Sequence, residues 1–407
     1  METILQVGFA RLDITPQTPT PLDGMGKDYE RQAAWIPPTR EEDKLKATLV
    51  ALSDGQTPVL FCLMDTLFIH EQFCLPGAKA IADATGIAAD HVFFCASHTH
   101  SGVSMDEPDP SVTQYLDWLY EELPRAAKKA MADLCPAQIR VGSLETVGMN
   151  AQRRYILKDG THRSTVHDKS FAAQDVKGYE TEPDRTLRAV RFVRRDKPHV
   201  LLANWQAHVG FAAKEMGMVS ADAWGTIREY FEQEEPNCYF GFVQGTEGNM
   251  SKASRNPNDP GYEKAKALDR EGYSKAFVSL LRQMPMQTVR AGEISVRRAL
   301  LTVKKRVQGV VTEQDQSLGL GAVCLGDVAF ATVPGEAFSD TGLQIRRGSP
   351  YKMTFVCGCC NGNSGYLPLE ECFAADPQNQ TFEVRVSKCQ PGTAEKIAQT
   401  LIALLNQ

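Results

Sequence analysis

The sequence lacks the marks of a membrane or secreted protein. No apolar run approaches the ~20 residues that a membrane-spanning helix needs. The first residues, METILQVGFARLDITP, show no positively charged start followed by a long apolar stretch, so they predict no secretion signal. We therefore expect a cytoplasmic protein without a transmembrane segment.

An excess of positive charge is also absent. The chain has 44 lysines and arginines against 50 aspartates and glutamates, which gives a formal net charge of -6. A protein that binds nucleic acid usually carries a basic patch that neutralises phosphates. We therefore expect a small-molecule substrate and no nucleic-acid partner; nothing in the composition predicts the oligomeric state.

Paired Cys-x-x-Cys motifs, the usual sign of a thiolate metal site, are missing. The eleven cysteines are an odd number, which without a secretion signal favours reduced thiols over a disulfide framework. Cys357, Cys359 and Cys360 stand close together in VCGCCNGNSGY, but no second pair follows at suitable spacing. We interpret them as small buried residues at a strand end, with a metal site as the weaker alternative.

Low-complexity segments, long linkers and internal repeats are absent as well. The 407 residues exceed a typical domain, so one large domain or two fused ones are possible. Because no boundary is visible, we predict a single domain over residues 1–407.

The pattern of apolar residues alternates between strands and helices. Residues 285–325 resemble strands without an intervening helix, which favours a mixed sheet over a purely parallel one. The predicted class is α/β, with one or more mixed β-sheets flanked by helices. Strands are predicted at 47–53, 58–69, 91–97, 199–207, 238–245 and 326–335. Helices are predicted at 76–86, at 111–134 with a kink or break at Pro124, at 220–233 with Ser220 as N-cap, and at 393–405.

Residues 150–186 are polar and show no periodicity. A segment of that length without regular structure is often functional, so we predict a lid or a substrate-binding loop.

Side chains that can bind a metal follow several of the predicted strands. The chain has only eight histidines, yet His98 and His100 both follow HVFFCA. His208, Glu336 and Tyr366 each come shortly after another apolar strand. Strand ends can converge on one cavity, and two histidines with a carboxylate are a common catalytic zinc set. Each residue has an ordinary alternative: a backbone cap for the paired histidines, a core position for His208, or a helix N-terminal acid for Glu336.

Several short phrases together resemble one family, the neutral/alkaline non-lysosomal ceramidases. They follow the family's order from about residue 7 to the C-terminus: VGFARLDITP, ASHTHSG, NWQAH, SADAWG, VPGE, NGNSGYLP and PGTAEKIAQTL. The resemblance is to the N-terminal catalytic domain of that family. It implies a ceramidase-like catalytic domain without the C-terminal β-sandwich that family members carry.

The resemblance also implies one zinc ion per chain, held by His98, His208, Glu336 and Tyr366. His100 would then lie beside the metal and act, with Tyr366, on protons or on the substrate carbonyl. The implied reaction is amide hydrolysis by metal-activated water. The same ligands would accept manganese, iron or cobalt.

Further residues are assigned by the same resemblance. Arg153 falls where the family has an active-site arginine, with Arg154 as the competing candidate and a solvated loop charge as the ordinary alternative. Ser251 falls near the family's GDVS motif, here GNMS, so Ser251 and Asn249 are predicted to contact substrate. Asp65 interrupts an apolar strand, and a buried acid needs a partner. It either orients a histidine behind the metal or makes a structural hydrogen bond.

The substrate is predicted to differ from that of the ceramidases. A cytosolic enzyme would rarely meet membrane ceramide, and no amphipathic docking helix is evident. We expect a small polar N-acyl substrate that could carry a carboxylate for Arg153 to hold. The alternatives are an esterase or lactonase with the same metal site, and a metal-binding protein without catalysis. A serine hydrolase is a further option, although the G-x-S-x-G motif is missing around Ser251.

Overall fold

The computed structural model describes residues 4–24, 35–166, 168, 170–212 and 217–407. The strands, numbered β1 to β20 in chain order, are Gln6–Asp13, Lys46–Ser53, Pro58–Met64, Val92–Ala96, Cys135–Glu145, Ala151–Gln152, Arg154–Leu157, His162–Ser164, Val176–Tyr179, Thr186–Arg194, His199–Trp205, Cys238–Gln244, Met250–Ser251, Met286–Val289, Ile294–Val307, Val310–Leu325, Val328–Thr332, Glu336–Ala337, Met353–Cys357 and Tyr366–Leu367. The helices, α1 to α9, are Glu71–Thr85, Pro110–Ala132, Asp222–Glu234, Tyr262–Ala267, Arg270–Gln283, Ser339–Gly348, Glu370–Ala375, Phe382–Val386 and Thr393–Leu405.

The largest sheet is mixed. Its strands run in the order β12-β11-β10-β5-β1-β2-β3-β4, and β14 also pairs with β5. The pairs β11–β12 and β3–β4 are parallel, whereas the others are antiparallel. Strands such as β2 and β3 are buried along nearly their whole length. Sheets covered on both faces have such continuous apolar strands, so the sequence of β2 already requires two packing partners.

A second sheet covers one face of the first. It has the order β15-β16-β17-β19, with β17 and β19 parallel. Side chains of the two sheets share one apolar core, in which the rings of Phe61 and Phe330 lie 4.9 Å apart. Helices α1, α2, α3 and α5 cover the outer face of the large sheet, and α6 and α9 cover the outer face of the small one. The result is four layers, helix–sheet–sheet–helix, which confirms the predicted α/β class with mixed sheets flanked by helices.

The parallel pairs determine where functional side chains can lie. The carboxyl ends of β4, β11, β12, β17 and β19 are followed by loops that contact one another. The backbone of Cys95, near the end of β4, pairs with the backbone of Cys360 in an isolated antiparallel β-bridge. Glu336 pairs with Tyr366 in the short parallel pair β18–β20. Ligands bind beyond the carboxyl ends of strands in open α/β sheets, and this edge has that geometry.

Two predicted elements end or begin elsewhere. The strand predicted over 58–69 stops at Met64, because the carboxylate of Asp65 turns to the N–H of Lys46 and to Arg228. The helix predicted over 76–86 begins at Glu71 and contains Pro76, because Phe73 and Cys74 bury their side chains in the core. Tertiary packing outweighs the preference of proline for the first turn.

Three other predictions are also corrected. The helix runs from Pro110 to Ala132 without a break, so Pro124 does not divide it, and the kink stays a prediction. Ser220 precedes the N-cap, which is Ala221, although its Oγ still accepts the N–H of Asp222. The segment 150–186, predicted to be irregular, contains a three-stranded sheet of order β8-β7-β9. The sequence analysis did not predict its small apolar core around Tyr155, because most residues of the segment are polar.

The close packing of α2 against β1 can be tested at Gly8. A Cβ atom at this position would lie 1.9 Å from the carbonyl oxygen of Ala130. We expect Gly8→Ala to lower the free energy of unfolding by about 1–3 kcal/mol, because strand and helix must move apart. Gly319→Ala in β16 is the matched control, since nothing lies within 4 Å of its Cβ. Equal urea midpoints for the two variants would contradict the expectation.

Candidate metal centre

The loop after β4 presents His98 to the interior. His98 has a φ of 62°, a left-handed conformation that is uncommon outside glycine. Its backbone N–H donates to Thr66 O at 2.9 Å, and its ring Nδ1 lies 3.1 Å from Leu67 O. A nitrogen that faces a carbonyl carries the proton, so the Nε2 atom is left with a lone pair.

His208, after β11, is held in the same tautomer. Its Nδ1 lies 3.0 Å from Met250 O and 3.1 Å from Glu247 O. Its backbone N–H also donates to Met250 O, so this oxygen in β13 fixes both the ring and the main chain of His208. Nε2 is again the atom with the lone pair.

Glu336 and Tyr366 complete the cluster from the two-stranded sheet β18–β20. The Oε2 atom of Glu336 lies 3.0 Å from His208 Nε2 and 3.6 Å from His98 Nε2. The hydroxyl of Tyr366 lies 3.2 Å from His208 Nε2. The structure therefore brings together the four side chains for which the sequence predicted a metal-ligand role.

The charges of this cluster could accommodate a cation. Burial lowers the pKa of His98 and of His208 well below the ordinary value, so both rings are neutral at pH 7. Two nitrogen lone pairs then face the oxygen of Glu336, a contact that a divalent ion between the atoms, or a proton on one of them, would make favourable. Ligand atoms around a tetrahedral zinc ion lie about 3.3 Å apart. The observed 3.0–3.6 Å separations fit a divalent ion held by these residues.

His100 lies next to this group. Its Nε2 atom is buried and has no hydrogen-bond partner among the described residues. One nitrogen each of His98, His100 and His208 can lie within 4.8 Å of the others. His100, His208 and Tyr366 are half-buried, whereas His98 and Glu336 are fully buried.

Arg153 lies beside Tyr366. The centre of its guanidinium is 5.3 Å from the Tyr366 ring, and the two side chains share a hydrogen bond. Burial and the nearby Glu336 raise the pKa of Tyr366 well above its ordinary value, although Arg153 opposes this shift. The phenol is therefore a hydrogen-bond donor at neutral pH unless a cation binds it.

Buried acids position the two arginines. Glu383 accepts hydrogen bonds from Arg153 Nε at 2.8 Å and from Arg154 Nη1 at 3.1 Å. Arg154 also pairs with Glu180, and its side chain is about 1% exposed. The guanidinium of Arg154 is thus engaged behind the site, so Arg153 is the better placed of the two candidates for substrate contact.

The residues of the GNMS motif lie close to His208. Ser251 pairs with His208 in a backbone bridge, but its hydroxyl donates to Ala253 O at 2.7 Å. Asn249 is buried between Asp340, to which its amide donates, and the N–H of Ser339. Their predicted contact with substrate stays a prediction, and no histidine among the described residues hydrogen-bonds the Ser251 hydroxyl.

Asp65 does not orient a histidine among the described residues. Its carboxylate accepts hydrogen bonds from the Lys46 N–H and from Arg228, both at 2.9 Å. Of the two roles predicted for Asp65, the structure shows the structural hydrogen bond.

Three residues of this region were missed by the sequence analysis. Glu383 stands in TFEVRV and Glu247 in GTEGN, without any motif that marks them. Cys359 was noticed but assigned to simple packing, although it lies with His98 and Glu247 in a group that could hold a metal. Burial raises the pKa of Glu247 to about 8. An acid in a glycine-containing turn just after an apolar strand is a weak signal that could have drawn attention to Glu247.

Comparisons with known proteins support the fold. No family model matches the chain, and no curated protein matches its sequence. The chain is similar in structure to the neutral ceramidase from Pseudomonas aeruginosa, with a TM-score of 0.73 and 16% sequence identity over 100% of this chain and 74% of that one. A ceramidase complexed with C2 gives a TM-score of 0.72 and 16% identity, over 99% of this chain and 75% of that one. At this identity the likeness shows a shared ceramidase-like fold.

Membrane insertion by a helix finds no support in the structure. None of the helices in the described part of the chain has the length and apolar character needed to span a bilayer. The cytoplasmic location stays a prediction.

Because Asp65 makes a structural hydrogen bond, we expect its replacement to lower stability without changing metal binding. Asp65→Asn leaves the buried charge of Arg228 without its partner, so we expect a loss of about 3–5 kcal/mol in the free energy of unfolding. Metal content should not change, because the Asp65 carboxylate pairs with Arg228 and the Lys46 N–H. Denaturation and elemental analysis measure the two properties. Asp83→Asn, which removes an exposed pair with Lys79, is the control and should be nearly neutral. Loss of metal from a folded Asp65→Asn variant would contradict the assignment.

Proposed function

We propose that this chain is a metal-dependent hydrolase that cleaves an amide bond in a small polar N-acyl substrate. The observation that carries the proposal is the contact of neutral His98 and His208 with the carboxylate of Glu336, which fits a bound divalent cation. Zinc is the proposed ion, because two imidazoles, a carboxylate and a phenol form a nitrogen and oxygen set that suits it. The similarity to ceramidase structures supports an amide as the bond that is cleaved.

The bound ion would supply Lewis-acid chemistry, since it polarises a carbonyl and lowers the pKa of water to roughly 7. His98, His208, Glu336 and Tyr366 would hold it. The backbone carbonyls that accept from both Nδ1 atoms keep each ring in the orientation needed to bind.

Proton transfer is assigned to His100. Its Nε2 atom has no hydrogen-bond partner among the described residues and lies on the half-buried side of the cluster. Burial lowers the pKa of His100, so the ring is neutral at pH 7 and can accept a proton. A neutral imidazole there can take a proton from the attacking water and return it to the leaving amine.

Arg153 is assigned to the negative charge that develops on the carbonyl oxygen. Arg153 is held by Glu383 and by the carbonyl of Gly248, both at 2.8 Å, so its guanidinium needs no rearrangement during the reaction. Donors fixed in a buried site stabilise an oxyanion more strongly than donors in water.

A polar rim supports a polar substrate. Gly24 packs on His100, and its neighbour Asp23 lies with His70 and Asp106 in one cluster. His70 Nε2 is 3.6 Å from an oxygen of Asp106. Such groups favour a substrate with polar groups beside the scissile bond over one with two long apolar chains.

Metal content provides the first test. We expect about one zinc ion per chain in the purified protein and its loss from His208→Ala, since one ligand of four is removed. His91→Ala is the matched control, because the ring of this histidine lies 3.0 Å from the carbonyl of Pro58 and 4.0 Å from Asp90, and neither residue belongs to the cluster. A wild-type protein that takes up no zinc would refute the proposal.

Hydrolysis of lactones or esters but of no N-acyl amide would assign the chain to the esterase and lactonase alternative.

Arg153 provides a second test. Arg153→Lys keeps the positive charge beside Glu383 but loses the forked donor geometry. We expect kcat/KM for the best N-acyl amide to fall about 10- to 100-fold, with zinc content unchanged. Lys177→Arg, on the exposed side of β9, serves as the control. Undiminished kcat/KM in Arg153→Lys would remove Arg153 from the reaction.

A further inference from the structure

A buried acid and a buried thiol lie behind the two histidines. Glu247 is in the loop between β12 and β13, and Cys359 follows β19. Both side chains are fully buried. Because neither side chain is exposed, substrate would not reach them.

The pair touches the Nδ1 side of both rings. Cys359 Sγ lies 3.1 Å from Glu247 Oε1 and 3.6 Å from His98 Nδ1. The backbone oxygen of Glu247 lies 3.1 Å from His208 Nδ1. One residue, Glu247, thus contacts His208 directly and His98 through the thiol.

The close approach of the two loops depends on a glycine. A Cβ at Gly358 would lie 2.2 Å from Gly245 O, and the N–H of Gly358 donates to Gln244 O at 2.9 Å. Cys359 itself has a φ of 50°, a conformation that costs a side chain about 1–2 kcal/mol. The chain therefore keeps a strained, buried side chain at a position where glycine would fit the backbone better.

Packing alone does not account for an acid at this position. In the part of the chain that is described, the Oε2 atom of Glu247 is buried without a hydrogen-bond partner, and its Oε1 atom accepts from a thiol. An apolar side chain would fill the same space without the cost of burying a carboxyl group.

The three side chains could also be read as a separate metal site. One ligand atom each from His98, Glu247 and Cys359 can lie within 4.8 Å of the others. However, the His98 Nδ1 atom faces Leu67 O at 3.1 Å and carries the ring proton when Nε2 binds a metal. That nitrogen then has no lone pair to offer, which favours an outer role for the acid and the thiol.

We propose that Cys359 and Glu247 are positioning residues, a hydrogen-bonded pair that fixes the rings of His98 and His208 and thereby sets the affinity for the ion. The inference rests on the proposed metal centre. Outer partners of metal-binding histidines commonly change affinity by about 10- to 100-fold when they are removed.

Zinc affinity, measured by competition with a chromophoric chelator, tests the pair without any substrate. We expect Cys359→Ala and Glu247→Gln each to weaken zinc binding about 10- to 100-fold. Cys359→Ser, which keeps a hydroxyl donor for Glu247, should restore most of the affinity. Cys360→Ala is the matched control, because this thiol is equally buried and adjacent but faces Cys95 and Cys357. Its affinity should match the wild type.

A double variant separates joint action from general damage. If the two residues act as one unit, Cys359→Ala with Glu247→Gln should be no weaker than the weaker single variant. Additive losses, or single-variant affinities within twofold of the wild type, would overturn the inference while leaving the metal centre intact. A sulfur-to-metal charge-transfer band in the cobalt-loaded protein, absent from Cys359→Ser, would also overturn it by making Cys359 a ligand. A wild type that binds no metal would instead refute the proposed function.

Discussion

The carboxylate of Glu336 faces two neutral imidazole nitrogens in the interior of the protein. His98 and His208 direct their Nδ1 atoms to backbone carbonyls, so only lone pairs remain toward Glu336. Such an arrangement is stable when a cation occupies the space between the atoms. The local structure maintains it: His98 has a left-handed backbone, and β18 pairs with β20 to place Glu336 beside Tyr366.

Around this centre, buried arginines form ion pairs with buried glutamates. Arg153 and Arg154 share Glu383, and Arg154 also binds Glu180, so two buried cations meet two buried anions. This network connects the short strands of segment 150–186 to helix α8. Breaking one pair would leave an uncompensated charge, which explains why these long side chains have fixed positions. The arginine that faces Tyr366 is therefore preorganised by residues from distant parts of the chain.

Sequence patterns predicted the elements whose apolar residues recur at regular spacing over many residues. The C-terminal helix was predicted with the bounds that the structure has, because its apolar residues recur at helical spacing on a single packed face. The strands of 285–325 were also predicted correctly. Short elements were not: β6 to β9 lie in a polar segment. The helix of 71–85 was predicted only from residue 76, because it contains a proline that its packing tolerates. Local propensity is too weak to define elements whose stability comes from distant contacts.

The sequence by itself determined the α/β class and the residue types at the strand ends, because buried strands require continuous apolar runs and polar side chains must follow them. It could not determine which polar side chains meet. Asp65 and Arg154 are as polar as the metal-binding candidates, yet the fold turns them toward Arg228 and toward Glu180 and Glu383. Only the tertiary structure placed Glu247 and Cys359 behind the histidines, because that contact joins loops from two different sheets and depends on the bare Cα of Gly358.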